Sequence, residues 1–304
     1  MTTNIETCEV AIVGGGPAGL SAALVLGRCR RRVVLFDSGE YRNAASHAMH
    51  GFLSRDGLAP SELRRIAREE IARYETVEFR SERVENAVAT GKGFELTTQS
   101  GRALRCRKLL IATGLVDDLP DVAGTEELYG KSIHHCPYCE GWEVRDQPLA
   151  AYGCGDGAGG GIAVELLLWS RDVVLCTNGP CGLTDEYRAK LERFRIGLRE
   201  ERVRRFEGDE SRIRIIFESG EVLERRALFF NTGSRQRSDL ARRLGCEFDE
   251  RGGVRCVKFQ STCVPGVYVA GDASRDALQV IVAAGEGSEA AVGINKALVE
   301  EDLL

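Results

Sequence analysis

Cys8-Glu9-Val10-Ala11-Ile12-Val13-Gly14-Gly15-Gly16-Pro17-Ala18-Gly19 is the stretch that decides the fold. Its first half is apolar on both faces and reads as a short buried strand of the parallel-sheet type. Its second half carries Gly14-x-Gly16-x-x-Gly19, with Pro17 and Ala18 inside the loop. The small-residue run Leu20-Ser21-Ala22-Ala23-Leu24-Val25-Leu26 continues it as a helix. Glycines at that spacing permit a tight turn, backbone approach to a pyrophosphate, and close helix–strand packing. The helix N-terminus then favours the phosphate charge. A second strand, Val33-Val34-Leu35-Phe36, ends in Asp37. A carboxylate roughly twenty residues after the first glycine accepts hydrogen bonds from an adenosine ribose. The glycines alone are a weak sign; strand, loop, helix and acid together are a strong one.

The same plan returns further along. Leu149-Ala150-Ala151-Tyr152 leads into Gly153-Cys154-Gly155-Asp156-Gly157-Ala158, with Ala158 in the third small-residue position. An apolar helix is expected from there through Trp169, then a strand at Val173–Cys176. The run Leu109-Leu110-Ile111-Ala112-Thr113-Gly114 is echoed by Ala227-Leu228-Phe229-Phe230-Asn231-Thr232-Gly233. One architecture is duplicated, which differs from a solenoid of short repeats. Between these landmarks, residues 41–57 read as a loop holding His47 and His50. Ser61 to Tyr74 reads as a charged amphipathic helix with Ser61 as N-cap. Val77 to Arg107 reads as an antiparallel meander, and Asp185 to Phe194 as a charged helix. A crossing between domains is expected within Leu115 to Gly130. A final strand closes in Ala270-Gly271-Asp272, ahead of an alanine- and glycine-rich helix, Ala283 to Leu298.

Composition narrows the class. A chain of 304 residues suffices for one large or two medium domains. With 41 basic and 46 acidic residues the net charge is -5, which offers no case for nucleic acid. Basic clusters such as Arg30-Arg31-Arg32 are short enough to be solvated faces. No apolar run approaches a membrane span, and Met1-Thr2-Thr3-Asn4-Ile5-Glu6 lacks the basic and apolar regions of a signal peptide. Eleven cysteines without framework spacing suit a reducing compartment, so a cytoplasmic location is expected.

His134-His135-Cys136-Pro137-Tyr138-Cys139-Glu140 carries the chemistry. Two cysteines separated by two residues can close a small disulfide ring, and one thiol in that spacing usually has a depressed pKa. Structural zinc needs four ligands, and no second C-x2-C exists, so a redox dithiol is the preferred reading and no metal is expected.

The opening glycine loop, the Cys-Pro-Tyr-Cys between two dinucleotide folds, and the closing Gly271-Asp272 together resemble the low-molecular-weight thioredoxin reductase family of flavoenzymes. The resemblance covers essentially the whole chain. It implies an α/β fold of two Rossmann-like (FAD/NAD(P)-binding, three-layer ββα) domains, the second inserted in the first. The FAD domain would span residues 1–117 and 246–304, with the pyridine-nucleotide-like redox domain at 118–245. FAD would be held by Gly14, Gly16, Pro17, Ala18, Gly19, Asp37, Thr113, Gly114, Gly271 and Asp272. Gly153, Gly155 and Ala158 would hold the nicotinamide nucleotide. By position, Cys139 would face the flavin, Cys136 would meet the substrate, Glu140 would donate a proton, and His135 would serve as base. A thioredoxin-like protein or a small disulfide or dithiol is the implied partner, and a homodimer the implied assembly.

Two departures keep the reading open. The family places a His-Arg-Arg-type cluster where it holds the NADPH 2′-phosphate; here stand Thr177-Asn178-Gly179-Pro180, leaving NADPH or NADH open. The downstream Arg188 would have to swing in to replace that cluster, and nothing in the sequence requires it. Relatives that act as dithiol oxidases close disulfides in small natural products, pass electrons through FAD to oxygen, and need no such clamp. A histidine beside the first cysteine suits them, because an oxidase must deprotonate an incoming dithiol. Electron supply from ferredoxin or another flavin fits the missing clamp as well. A flavin-bound redox sensor without turnover is the reading from another class. Bland roles are expected for several other residues: solvated His47 and His50, a small buried Cys154, independent Cys176 and Cys181, and a turn-capping Asp156. Trp142 is expected to pack against a flavin, a partner or the core.

Overall fold

The computed structural model describes residues 5–274 and 277–304, so Met1–Asn4, read above for a leader, lie outside it. The chain forms two units. One runs up to Ala44, then Gly51–Val116 and Arg235–Leu304; the other is Ala45–His50 with Asp117–Ser234.

In the first unit the deciding stretch folds as a strand, Glu6–Val13, and a helix, Pro17–Arg28. Pro17 opens that helix, where its missing N–H has no intrahelical partner to lose. Ala18, Leu20, Ala22, Ala23 and Leu26 are buried along one stripe of the helix. The helix packs on Val280–Asp302, and Gly287 permits the crossing: a Cβ there would lie 2.0 Å from the Ala18 carbonyl oxygen.

The sheet has seven strands. Val77–Arg80, Val33–Phe36, Glu6–Val13 and Ala103–Ile111 lie in parallel order, and Gly93–Thr98 and Val84–Thr90 continue it antiparallel. The expected meander is therefore shorter at its start, since Val77–Arg80 pairs parallel with Val33–Phe36. Its last strand does not stop at Arg107. It continues through Leu109–Ile111, pairing along its length with Glu6–Val13 and, at its far end, with Val267–Val269. Burial alternates over the first half of that strand and is continuous over the second, because the core clusters cover both faces there. The helix read from Ser61 begins instead at Pro60 with Ala59 as N-cap. Proline's fixed φ suits the first helical turn and starts the helix one residue earlier.

The second unit repeats the plan. A five-stranded parallel sheet runs in the order Gly197–Arg199, Val173–Cys176, Leu149–Tyr152, Ala227–Phe230, Ile133–His134. Val203–Gly208, Ile213–Phe217 and Val222–Arg225 form a separate antiparallel sheet. Both units are thus Rossmann-like, and the second is inserted in the first. The apolar helix expected through Trp169 is broken into three short pieces. A π-helical turn, Asp156–Gly161, is followed by an α-turn, Ile162–Glu165, and a 3-10 turn, Leu166–Leu168. The Tyr187 ring lies against Gly160, where a Cβ would come within 2.4 Å, so the wide turn exists only with glycine there.

The second chain crossing falls at Ser234/Arg235, eleven residues before the expected one. Residues 236–241 are tied to the first unit by contacts the sequence pattern did not reveal. Gln236 Nε2 donates to the Gly252 and Ala273 carbonyls at 2.9 Å each, the Arg237 amide donates to Gly114, and Leu240 and Ala241 join the first core. Among the described residues no helix is long and apolar enough to cross a membrane.

Candidate redox site and nucleotide loops

The dithiol sits at a strand-to-helix junction. Cys136 is extended and N-caps the short helix Pro137–Glu140, whose Cys139 and Glu140 amides donate to the Cys136 carbonyl at 3.2 and 3.3 Å. That single turn brings the sulfurs together, and Cys136 and Cys139 form a disulfide. Gly141 closes the turn at a point where a Cβ would meet the Pro137 carbonyl and the Trp169 ring at 2.6 Å.

The two preceding histidines divide by strand alternation. His134 is buried 5.5 Å from the Phe229 ring, and burial pushes its imidazole down to about 4, so it is neutral at pH 7. His135 faces the other way. Its Nδ1 lies 2.8 Å from the Tyr129 hydroxyl, which donates to Asp117 Oδ2 at 3.0 Å. Glu140 is partly buried, and burial raises its carboxyl above the ordinary range. The Glu143 charge pushes it up further, while His50 and His47 pull it down. His50, Glu140 and Glu143 bring one ring nitrogen and two carboxylates within 4.8 Å of one another.

His47 and His50 were read as loop residues of the FAD domain. They group instead with the second unit, His47 Nε2 lying 3.3 Å from Glu210 and His50 Nε2 3.7 Å from Glu143. Cys154 is exposed rather than buried, because the glycine loop that carries it faces outward. Cys176 and Cys181 are separate buried thiols. Trp142 is exposed, with the Arg145 guanidinium 4.0 Å above its ring.

In the first unit the glycine loop is closed by backbone contact. A Cβ on Gly14 (φ +121°) would stand 2.2 Å from the Ala112 carbonyl, and one on Gly19 would stand 1.9 Å from the Gly14 carbonyl. Gly271 lies against Ala18, which brings Gly271-Asp272 to the head of the Pro17 helix, while the Thr113 amide nitrogen would lie 3.2 Å from a Cβ on Gly14. Gly16 and Gly114 face space with no protein atom within 4 Å of a Cβ, and the buried Thr113 hydroxyl has no hydrogen-bond partner. An open cradle beside an orphaned hydroxyl fits a dinucleotide cofactor.

Tyr41, Arg42, Arg68 and Glu286, none of them singled out by the sequence, brace this cradle. Asp37 accepts from the Gly39 amide and the Tyr41 hydroxyl, at 2.9 and 2.6 Å, and also pairs with Arg68. Arg42 donates to Asp272 at 2.9 Å. Buried Glu286 accepts from the Gly271 amide at 2.6 Å and from Ser274 at 3.2 Å. A lone acid on the buried stripe of an alanine-rich helix was the available signal for Glu286; Arg42 and Arg68 offered none.

A family model for the pyridine nucleotide-disulphide oxidoreductases matches residues 8–287. The chain belongs to that family. Within it the chain is thioredoxin reductase-like and is a flavin-dependent disulfide oxidoreductase. It is 35% identical to thioredoxin reductase tcpT of Claviceps purpurea over 89% of this chain and 87% of that one. It superposes on the putative thioredoxin reductase TrxB of Bacillus anthracis with TM-score 0.92 and 32% identity, covering 97% and 99% of the two chains. The solved structure of HlmI gives TM-score 0.92 and 39% identity, covering 98% and 94%.

FAD and NAD(P)H are the cofactors of such an oxidoreductase. The second loop offers a nucleotide cradle too, since Gly155 (φ +74°) and Gly157 face open space. Asp156 accepts from both the amide and the hydroxyl of Thr184 at 2.9 Å. The strand end beyond it does not fit a 2′-phosphate. Thr177 donates to the Gly179 carbonyl and Asn178 accepts from the Val203 amide, so both polar side chains are spent on the turn. Arg188 pairs with Glu200, and Arg199 with Glu201 and Glu221.

Proposed function

We propose that this oxidoreductase moves two electrons between FAD and a small dithiol/disulfide or thioredoxin-like partner through Cys136 and Cys139. The observation that carries the reading is the dithiol lying next to two proton-handling groups of opposite character. Glu140 follows Cys139 with its carboxyl raised by burial, so it holds a proton at a higher pH than a solvated glutamate. His135 precedes Cys136 and is tethered to Tyr129.

In the reductive direction the Cys136 thiolate attacks the substrate disulfide, and one substrate sulfur leaves with the electron pair and takes a proton. Cys139 then attacks Cys136 in the mixed disulfide, closing the Cys136–Cys139 bond and releasing the second substrate thiol. Glu140 is the proton store for Cys139, and His135 for the thiol at Cys136. FAD, held by the Gly14–Gly19 loop with Thr113, Gly114, Gly271 and Asp272, supplies the two-electron redox partner that resets the dithiol. Gly153, Gly155 and Ala158 are the proposed seat of a nicotinamide nucleotide.

The paired state of Arg188 and Arg199 favours a second direction, oxidation of a small dithiol with oxygen or another acceptor taking the electrons. An anaerobic titration separates the two. Bleaching of the flavin by near-stoichiometric NADH or NADPH supports the reductase. Bleaching by dithiothreitol but by neither nucleotide supports the oxidase or a ferredoxin- or flavin-fed route. Failure of both to bleach a flavin that dithionite reduces would sink the exchange role of the dithiol.

A further inference from the structure

The exchange role proposed for Cys136–Cys139 leaves open which nitrogen of His135 handles the proton. We propose that Asp117 and Tyr129 are positioning residues that hold His135 as its Nδ1–H tautomer, leaving Nε2 as the proton-accepting nitrogen of the residue that precedes Cys136. The inference rests on that exchange reading for its consequence, though not for its geometry.

A neutral imidazole carries one N–H, and the partner of one nitrogen decides where it sits. Tyr129 has a single hydroxyl proton, and an ionised carboxylate can only accept. At 3.0 Å the Asp117 oxygen takes that proton, so the phenol oxygen turns a lone pair toward His135. Nδ1, 2.8 Å away, must therefore be the donor. The opposite arrangement would set a phenol lone pair against the carboxylate. Asp117 does not reach the ring itself, because its nearest oxygen is 3.9 Å from Nδ1. The tyrosine is the bridge.

The fold holds this chain of groups in place. Tyr129 ends the short helix Thr125–Leu128, and the loop after it closes through the Gly130 amide donating to the Ile133 carbonyl at 2.9 Å. That closure returns Tyr129 beside His135, with ring centroids 5.8 Å apart and the Phe230 ring packed on both. The Asp117 side chain is only 7% exposed, so water competes poorly for its oxygen. With the ring fixed, Nε2 takes the proton of an incoming thiol. The thiolate then bonds to Cys136, the Cys136–Cys139 bond breaks, and the electron pair leaves on Cys139.

The test is the ring nitrogen pattern of His135 in the full-length protein labelled with 15N-histidine, assigned by the signal that His135→Gln removes. The expected result at pH 8 is a protonated Nδ1 and a bare Nε2. Asp117→Asn should reverse it, because the amide donates to the phenol oxygen and turns its proton toward Nδ1. Tyr129→Phe should leave a mixture of tautomers. Reduction of the disulfide by dithiothreitol, followed by stopped flow, should slow at least tenfold in Asp117→Asn and less in Tyr129→Phe. A wild-type ring protonated on Nε2, or a tautomer unchanged in both variants, would overturn the assignment. A wild-type Nδ1–H ring in a protein that dithiothreitol does not reduce would uphold the assignment and sink the exchange reading instead.

Discussion

The two glycine-rich loops began as near copies and fold to opposite effect. Gly14–Gly19 rests on other strands, Gly14 on the Ala112 carbonyl and Gly15 on Asp37, and closes on itself through Gly19 against Gly14. A regular helix of twelve residues follows it. Gly153–Ala158 curls on itself instead, with Gly153 against the Ala158 carbonyl and Gly159 against Gly153. A π-helical turn follows there. The lesson is that the glycine spacing specifies a tight turn, while the neighbouring strands and side chains specify what the turn can hold. Charge follows the same division. Arg42 and Asp272 meet at the first cradle, whereas Arg188 and Arg199 near the second are each committed to glutamates.

The largest expected effect comes from breaking the locked loop. Gly19→Val should cost more than about 3 kcal/mol of stability and empty the protein of flavin, since no side chain fits 1.9 Å from a carbonyl. Thermal melting and the flavin absorbance of the purified variant check it.

Acid should separate the units next. All four histidines, His47, His50, His134 and His135, belong to the second unit. The depressed His134 pKa, from 6.5 to about 4, means folding keeps the ring neutral while the unfolded chain binds a proton. That stability is present above pH 6.5 and is lost as pH falls toward 4, by about 3 kcal/mol in all. Melting between pH 7 and 4.5 should show this slope in the wild type and a flatter one in His134→Leu.

A smaller effect tests the second strand end. With its cations paired, NADPH should bind no more than about threefold more tightly than NADH, under about 1 kcal/mol. A preference of tenfold or more by calorimetry would show that a cation is released to meet the 2′-phosphate. Smallest of all, Gly157→Ala in the open loop should change the melting free energy by less than about 0.5 kcal/mol. A large loss there would mean the two loops are equally constrained.

Much of the fold was legible because its signals are local. A buried strand, a glycine turn and a small-residue helix declare themselves within twenty residues, and Ala227–Phe230 and Asp185–Arg193 fell close to where periodicity put them. The dithiol and its short helix were equally readable, since two cysteines one turn apart meet by backbone geometry alone. The errors arose where distant chain decides. Val77–Arg80 went parallel because Val33–Phe36 offered an open edge, and the helix after Gly155 broke because Tyr187 claimed the space beside Gly160.

Two Rossmann-like units, a cysteine pair able to close a disulfide and the loops that could cradle nucleotides were all readable from residue order alone. Each of these is written in the order and size of adjacent residues. Which side chains share charge and protons across long separations was settled by packing. It paired Asp37 with Arg68 and Arg42 with Asp272, seated Glu286 under Gly271, and set Tyr129 between Asp117 and His135. The physical reason is that a hydrogen bond or ion pair depends on ångström distances and burial. Those are set by how whole strands and helices pack, and no spacing along the chain encodes them.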